Sequence, residues 1–218
     1  MERLNSLQHI DLHSTVPADQ RYSTDGLFGE QRGKMFGVLN GTDSQGNERV
    51  LYAFSGQFNG LWNIPGWAPP LFNEANWHMI NFATEKKIKM LGNDLENLKD
   101  ESTTYLEMKR LRKRLSQKLM SKIHRLYTLQ NFRGERCTLK PFFSTKRGIP
   151  TGTGDCCAPK LLSFAVHHNI TPLGMSEFYW GKTNKSKSKI NGCFYPPCED
   201  KCKPLLAFLL CGLDERTA

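Results

Sequence analysis

The chain has 218 residues, 39% of them apolar, and a formal net charge of +9 from 30 Lys and Arg against 21 Asp and Glu. That length supports one core of ordinary size, or one domain with a helical excursion, so folding does not require disulfides. No window approaches the roughly eighteen consecutive apolar residues of a transmembrane helix, and Met1-Glu2-Arg3-Leu4-Asn5-Ser6 lacks the apolar core of a secretory signal, so a soluble cytoplasmic protein without membrane contact is expected. In a reducing cytosol, the seven cysteines at 137, 156, 157, 193, 198, 202 and 211 are expected to bind metal or to pack, and their odd number argues against a complete disulfide framework.

Residues 1–32 are polar and without clear period, which predicts an N-terminal arm with at most one short helix. Lys34 to Asn40 and Arg49 to Gly56 are apolar runs flanking the turn-forming Gly41-Thr42-Asp43-Ser44-Gln45-Gly46-Asn47-Glu48, which predicts a β-hairpin with a long loop. Two strands are not stable alone, so further sheet has to come from elsewhere in the chain. Gly60 to Phe72, with three prolines and two tryptophans, is irregular and is expected to cover the hairpin, with lining a pocket as the alternative.

From 73 to 130 the period becomes helical: Ile88, Leu91, Leu95 and Leu98, then Tyr105, Met108, Leu111, Leu115, Leu119, Ile123 and Leu126. Glu101-Ser102-Thr103-Thr104 interrupts it, leaving two antiparallel helices or one long helix with a weak joint, with the stripe as a coiled packing face. The second helix carries Lys109, Arg110, Arg112, Lys113, Arg114, Lys118, Lys122 and Arg125 with no acid among them, and Lys182, Lys185, Lys187 and Lys189 form a second cluster in a polar loop. Such fields concentrate polyanions and release counterions on phosphate contact, which points to RNA or the ribosome; a solvated helix face is the alternative.

After Asn131-Phe132-Arg133-Gly134 an irregular stretch runs to Thr153. A helix from about Cys156 to His168, a strand over Pro172 to Trp180 and a final helix from about Cys198 to Cys211 follow. Helices returning between strands imply an α/β layered domain, with α+β possible. The expected organisation is an arm at 1–32, one metal-binding domain from 33–72 and 131–213, and an inserted basic helical hairpin at 73–130.

Two motifs carry chemistry: Gly152-Thr153-Gly154-Asp155-Cys156-Cys157-Ala158-Pro159-Lys160 and Pro197-Cys198-Glu199-Asp200-Lys201-Cys202. Cys198 and Cys202, four apart, would share a helical face, and Cys156 opens its own helix, where the dipole favours a thiolate. Three thiolates with one open position suit Zn2+. Cys157 or Cys193 as a fourth ligand would close the site and make it structural, while Cys137 and Cys211 are assigned to the core. His78, His124, His167 and His168 have no ligand spacing and are read as structural.

The order hairpin, cysteine helix, strand, Pro-Cys helix resembles the zinc-dependent cytidine deaminases, in which a glutamate two residues beyond the first ligand shuttles protons. Here that position is Ala158, and the second motif has three residues between its cysteines instead of two. Substitute proton carriers would be Asp155, otherwise an N-cap, or Glu177, otherwise an ion-pair partner of Lys160.

Gly33 to Leu39, Ala53-Phe54-Ser55-Gly56, Pro65 to Pro70, the Gly152 to Leu162 run, Met175 to Gly181 and Phe194 to Pro204 together resemble the N-terminal accessory region of certain bacterial RluA-type RNA pseudouridine synthases, over roughly residues 33–213. The synthase motifs themselves are absent, so the resemblance implies an accessory module and not a pseudouridine synthase. Cys157 falls where the family pattern is open, which implies three thiolates. The expected function is a zinc-binding module that holds rRNA or tRNA through the basic helix and loop beside an RNA-modifying enzyme. The alternative is a zinc-dependent hydrolytic deaminase of a nucleobase or nucleotide.

Overall fold

In the computed structural model, which describes residues 1–218 apart from 17–18, 30, 99–101, 145–147 and 218, the chain forms two compact units. The first comprises Met1–Leu71, Leu129–Cys137 and Gly152–Ala218; the second comprises Phe72–Thr128 and Thr138–Thr151.

The first unit is built on a four-stranded sheet. Helix α1 (Glu2–Leu7) precedes strands β1 (Lys34–Thr42) and β2 (Glu48–Phe54), the expected hairpin, paired from Phe36 with Phe54 to Thr42 with Glu48. The elements α2 (Glu74–Asn97) and α3 (Thr103–His124) belong to the second unit. There follow β3 (Leu129–Gln130), β4 (Arg136–Cys137), α4 (Cys157–His167), β5 (Thr171–Trp180), β6 (Phe194–Tyr195), α5 (Lys203–Leu209) and α6 (Asp214–Thr217). The sheet order is β2-β1-β5-β6 and every pairing is antiparallel. The fold is therefore α+β and not α/β, because among the described residues no helix serves as a crossover between parallel strands of the sheet.

Side chains alternate across the sheet. On one face Phe36, Phe54, Phe178 and Trp180 form the core with Leu4, Ile10, Leu12, Leu27, Phe58, Ile64 and Trp67. Leu4, Ile10, Leu12 and Leu27 thus pack the N-terminal segment into this core where a polar arm was expected, and Trp67 both covers β2 and donates its Nε1–H to Ile10 O at 2.7 Å. On the other face lies α4, buried from Cys157 to Ser163 and again at Ala165 and Val166. Gly37 is what lets α4 approach so closely: a Cβ there would stand 2.6 Å from the Cys157 Cβ. The helix closes at His168, followed by Asn169 at φ 52°.

The final helix departs from expectation. It spans only Lys203–Leu209, with Cys202 as its N-cap and Pro204 in its first turn. Proline has no amide hydrogen to donate and its ring obstructs the preceding turn, so the helix cannot extend back to Cys198. The stretch after Gln130 is also more ordered than expected, with β3 and β4 pairing across Asn131 to Glu135.

The second unit contains the expected pair of helices. Asn73 caps α2 by accepting from the Asn76 amide, and Ser102 caps α3 by accepting from the Tyr105 amide, which explains the break in the stripe. Of the residues expected at that joint, Glu101 lies outside the described residues. Leu119, Ile123, Phe72 and Tyr127 are buried, and the last two stack edge to face at 4.9 Å. Among the described residues no helix is long and apolar enough to cross a membrane.

Candidate metal centre

Three thiols converge in the first unit: Cys156, Cys198 and Cys202 have their sulfurs within 4.8 Å of one another. The Sγ atoms of Cys156 and Cys198 are 3.9 Å apart, and those of Cys198 and Cys202 are 3.3 Å apart. Sulfurs around one tetrahedral ion at bonds of ~2.3 Å stand about 3.8 Å apart. These three cysteines could hold a metal ion with little adjustment.

The backbone explains the convergence. Cys156 is the N-cap of α4, extended at φ −71° and ψ 163°, which turns its side chain away from the helix body. Cys198 and Cys202 do not share a helical face as expected. They bracket a turn in which the amides of Cys202 and Lys203 both donate to Cys198 O, at 3.2 and 3.1 Å. The spacing of four is thus satisfied by a single closed turn, and α5 begins only after it.

Cys157 points elsewhere: it is buried against β1 and its Sγ donates to Met35 O at 3.4 Å. Cys193 is exposed and is not part of the cluster, and Cys137 and Cys211 are half-buried instead of in the core. Neither candidate for a fourth thiol joins the cluster, so one coordination position is left to another donor.

Near the thiols stand four charged groups: Glu177, Lys160, Lys34 and Asp155. Glu177 is buried in β5, and its Oε1 accepts from the Ala158 amide at 2.7 Å. Its expected ion pair with Lys160 is not formed. Lys160, 1% exposed, donates instead to Phe54 O and Gly56 O, each at 3.0 Å, with the ammonium 4.8 Å from the Phe54 ring centre. Lys34 donates to Ser55 O at 3.0 Å, so two lysines grip three consecutive carbonyls. Asp155 is not the N-cap; it precedes it, its carbonyl accepts from the Gly56 amide, and its charge supports both lysines. Burial raises the Glu177 carboxyl above the usual carboxylate range, with the Ala158 amide pulling the other way. Sequence reasoning did not single out Lys34; its only signal was its place at the start of β1.

The basic residues of α3, Lys109, Arg110, Arg112, Lys113, Arg114, Lys118, Lys122 and Arg125, are all exposed, and among the described residues none of them forms an ion pair. Lys185 and Lys187 are exposed in the loop between β5 and β6. The histidines stay apart from the thiols: His78 pairs with Glu74, His167 bonds Ser163 O, and His124 is half-buried in α3. Comparison with known protein families, curated proteins and solved structures gives no match.

Proposed function

We propose that the chain is a zinc-binding, RNA-associated module on a cytidine-deaminase-like scaffold, serving beside an RNA-modifying enzyme. The observation that carries the reading is the convergence of Cys156, Cys198 and Cys202, a soft donor set that favours Zn2+. Cys156 and Cys198 would hold the ion from two separate segments, and Cys202 from the start of α5. Bound zinc would act as a cross-link and as a Lewis acid at its remaining position. The RNA part rests on the exposed cations that run along α3 and on the exposed Lys182, Lys185 and Lys187 of the loop after β5.

Purified protein is expected to hold one zinc per chain by elemental analysis, and Cys198→Ser to lose it. A folded wild-type protein that takes up no zinc would refute the metal reading. RNA affinity is expected to fall steeply with salt. Replacing Arg110, Arg112 and Arg114 together by Gln should flatten the slope of log affinity against log salt by about three if each meets a phosphate. An unchanged slope would assign α3 to solvated surface.

One contact favours the deaminase alternative: the hydrogen bond from the Ala158 amide brings the Glu177 carboxylate to the helix turn that Cys156 caps. Ammonia release from a nucleoside by zinc-loaded protein, abolished by Glu177→Gln, would put that reading first.

A further inference from the structure

Strand β5 runs well past its neighbour on the outer side. β6 pairs only with Glu177 and Phe178 and then leaves the sheet at Pro196-Pro197, whose missing amide hydrogens prevent further pairing. The edge of β5 from Thr171 to Ser176 is therefore open, and Leu173, Gly174 and Ser176 are exposed along it.

Tyr179 fixes which way the backbone points. Its amide donates to Cys193 O at 3.0 Å and its carbonyl accepts from the Gly192 amide at 2.8 Å, both on the outer side. Backbone groups alternate in direction along a strand, and the register with β1 is regular from Tyr179 to Gly174. The N–H and C=O of Met175 thus face outward as well, and no described residue bonds them.

Beside this stretch lies a groove of about 300 Å³, lined by Met175, Ser176, Glu177, Phe194, Tyr195 and the two prolines. Its walls belong to both faces of the sheet. Phe194 stands opposite Phe178, with 6.1 Å between ring centres, and shares the core face with Ser176. Met175, Glu177 and Tyr195 are on the α4 face. A compact ligand would lie on one side of the edge and leave the other wall empty. An extended peptide paired along the edge sends successive side chains to alternate faces and so meets both.

Charge selects the kind of peptide. Between Gly181 and Pro197 the lysines at 182, 185, 187 and 189 are accompanied by no acid. The Lys189 ammonium stands 3.6 Å from the centre of the Tyr195 ring, which brings one cation to the groove wall. Glu177 does not offset it at the surface, being buried with its Oε1 taken by the Ala158 amide. A second copy of this chain, at net charge +9, adds charge of the same sign. An acidic segment is complementary. Phosphates of a nucleic acid only accept hydrogen bonds, whereas Met175 offers a donor and an acceptor together, which another peptide backbone matches. Phe194, 62% exposed, is left for an apolar side chain to cover.

We propose that the open edge of β5 is a docking site for an extended, acidic segment of a partner protein. The segment adds a strand beyond the end of β6, bonds the Met175 backbone, covers Phe194 with an apolar side chain and sets a carboxylate against Lys189.

The test is a selection of short phage-displayed random peptides on the whole chain. The recovered consensus is remade as a fluorescent peptide and titrated by polarisation. Acidic and apolar residues are expected in alternation. Met175→Pro removes the outward amide hydrogen while leaving the β1 pairing to Gly174 and Ser176, and it should weaken binding by about tenfold or more. Lys189→Gln should weaken it several-fold, more at low salt than at high. Methylating the peptide's amides one at a time gives an answer even if Met175→Pro misfolds. Methylation at alternate residues should abolish binding and methylation between them should be tolerated, because only every second amide faces the neighbouring strand.

Recovery of no binding peptide overturns the proposal. So does a peptide that binds folded Met175→Pro protein as tightly as the wild type, a methylation series without alternation, or a consensus without acids. An oligouridylate that binds the wild type and loses affinity in Met175→Pro as the peptide does would assign the edge to nucleic acid, and that too overturns it.

Discussion

A lysine ammonium that is 1% exposed, as Lys160 is, has given up its hydration for two carbonyl oxygens and two aromatic faces, those of Phe54 and Trp62. Burial pushes it down to about 8, with Asp155 holding it up in part. An unfolded lysine titrates near ~10.4. Between about pH 8 and 10.4 the unfolded chain therefore binds the extra proton, and the contribution of this residue to stability rises with pH through that window. Below pH 8 both states are charged and the burial costs its full amount, on the order of 3 kcal/mol. Lys160→Met removes that titration, though it also leaves two carbonyls without their donor. Urea denaturation at pH 7, 8.5 and 10 should show the wild type gaining on the variant by about that amount as pH rises. A constant difference across the series would mean that the lysine is not desolvated.

Among the elements, those with a period were legible before the structure, and those made by tertiary contact were not. The hairpin, α2, α3, α4 and β5 each repeat their apolar residues over several turns or alternations, and Asn73 and Ser102 announce helix starts in the residue type itself. The two-residue β6 is too short to show alternation, and the N-terminal segment spaces Leu4, Ile10, Leu12 and Leu27 irregularly because it follows the sheet surface and no repeat of its own. At the site, the cysteines could be read from their positions beside helix starts. Which of two adjacent cysteines turns outward depends on where α4 begins: Cys156 at the cap faces the cluster, and Cys157, one residue inside, faces Gly37. Pro204 carried the signal that Cys198 and Cys202 sit on a turn, since a proline there marks the first turn of a helix. The partner of Glu177 depends on register, which sets it opposite Gly37 and so beneath α4, and no local pattern encodes that.

For the whole molecule the thiol cluster matters as a clasp: Cys156 and Cys198 are 42 residues apart in sequence, and an ion bound to both would join the start of α4 to the turn before α5. Without a cation the Cys156 and Cys198 thiols resist ionising. The Cys156 thiol is drawn down by its hydrogen bond with Cys198, but contact with Cys202, burial and nearby negative charge outweigh this and push it up to about 12. Cys198 is raised as well, first through its contact with Cys156 and then by burial. At neutral pH the metal-free Cys156 and Cys198 thiols are therefore protonated, and thiolate coordination has to expel those protons. Zinc affinity should accordingly tighten as pH rises, by about tenfold per pH unit for each proton released. Competition against a chromophoric chelator at pH 6, 7 and 8, corrected for the chelator's own protonation, measures that number directly. Because ligand binding to the folded state alone adds to stability, the same dependence should appear in thermal melts. The gap in melting temperature between zinc-loaded and chelator-treated protein should widen from pH 6 to pH 8, and a gap that stays constant would show that the thiols are not the ligands.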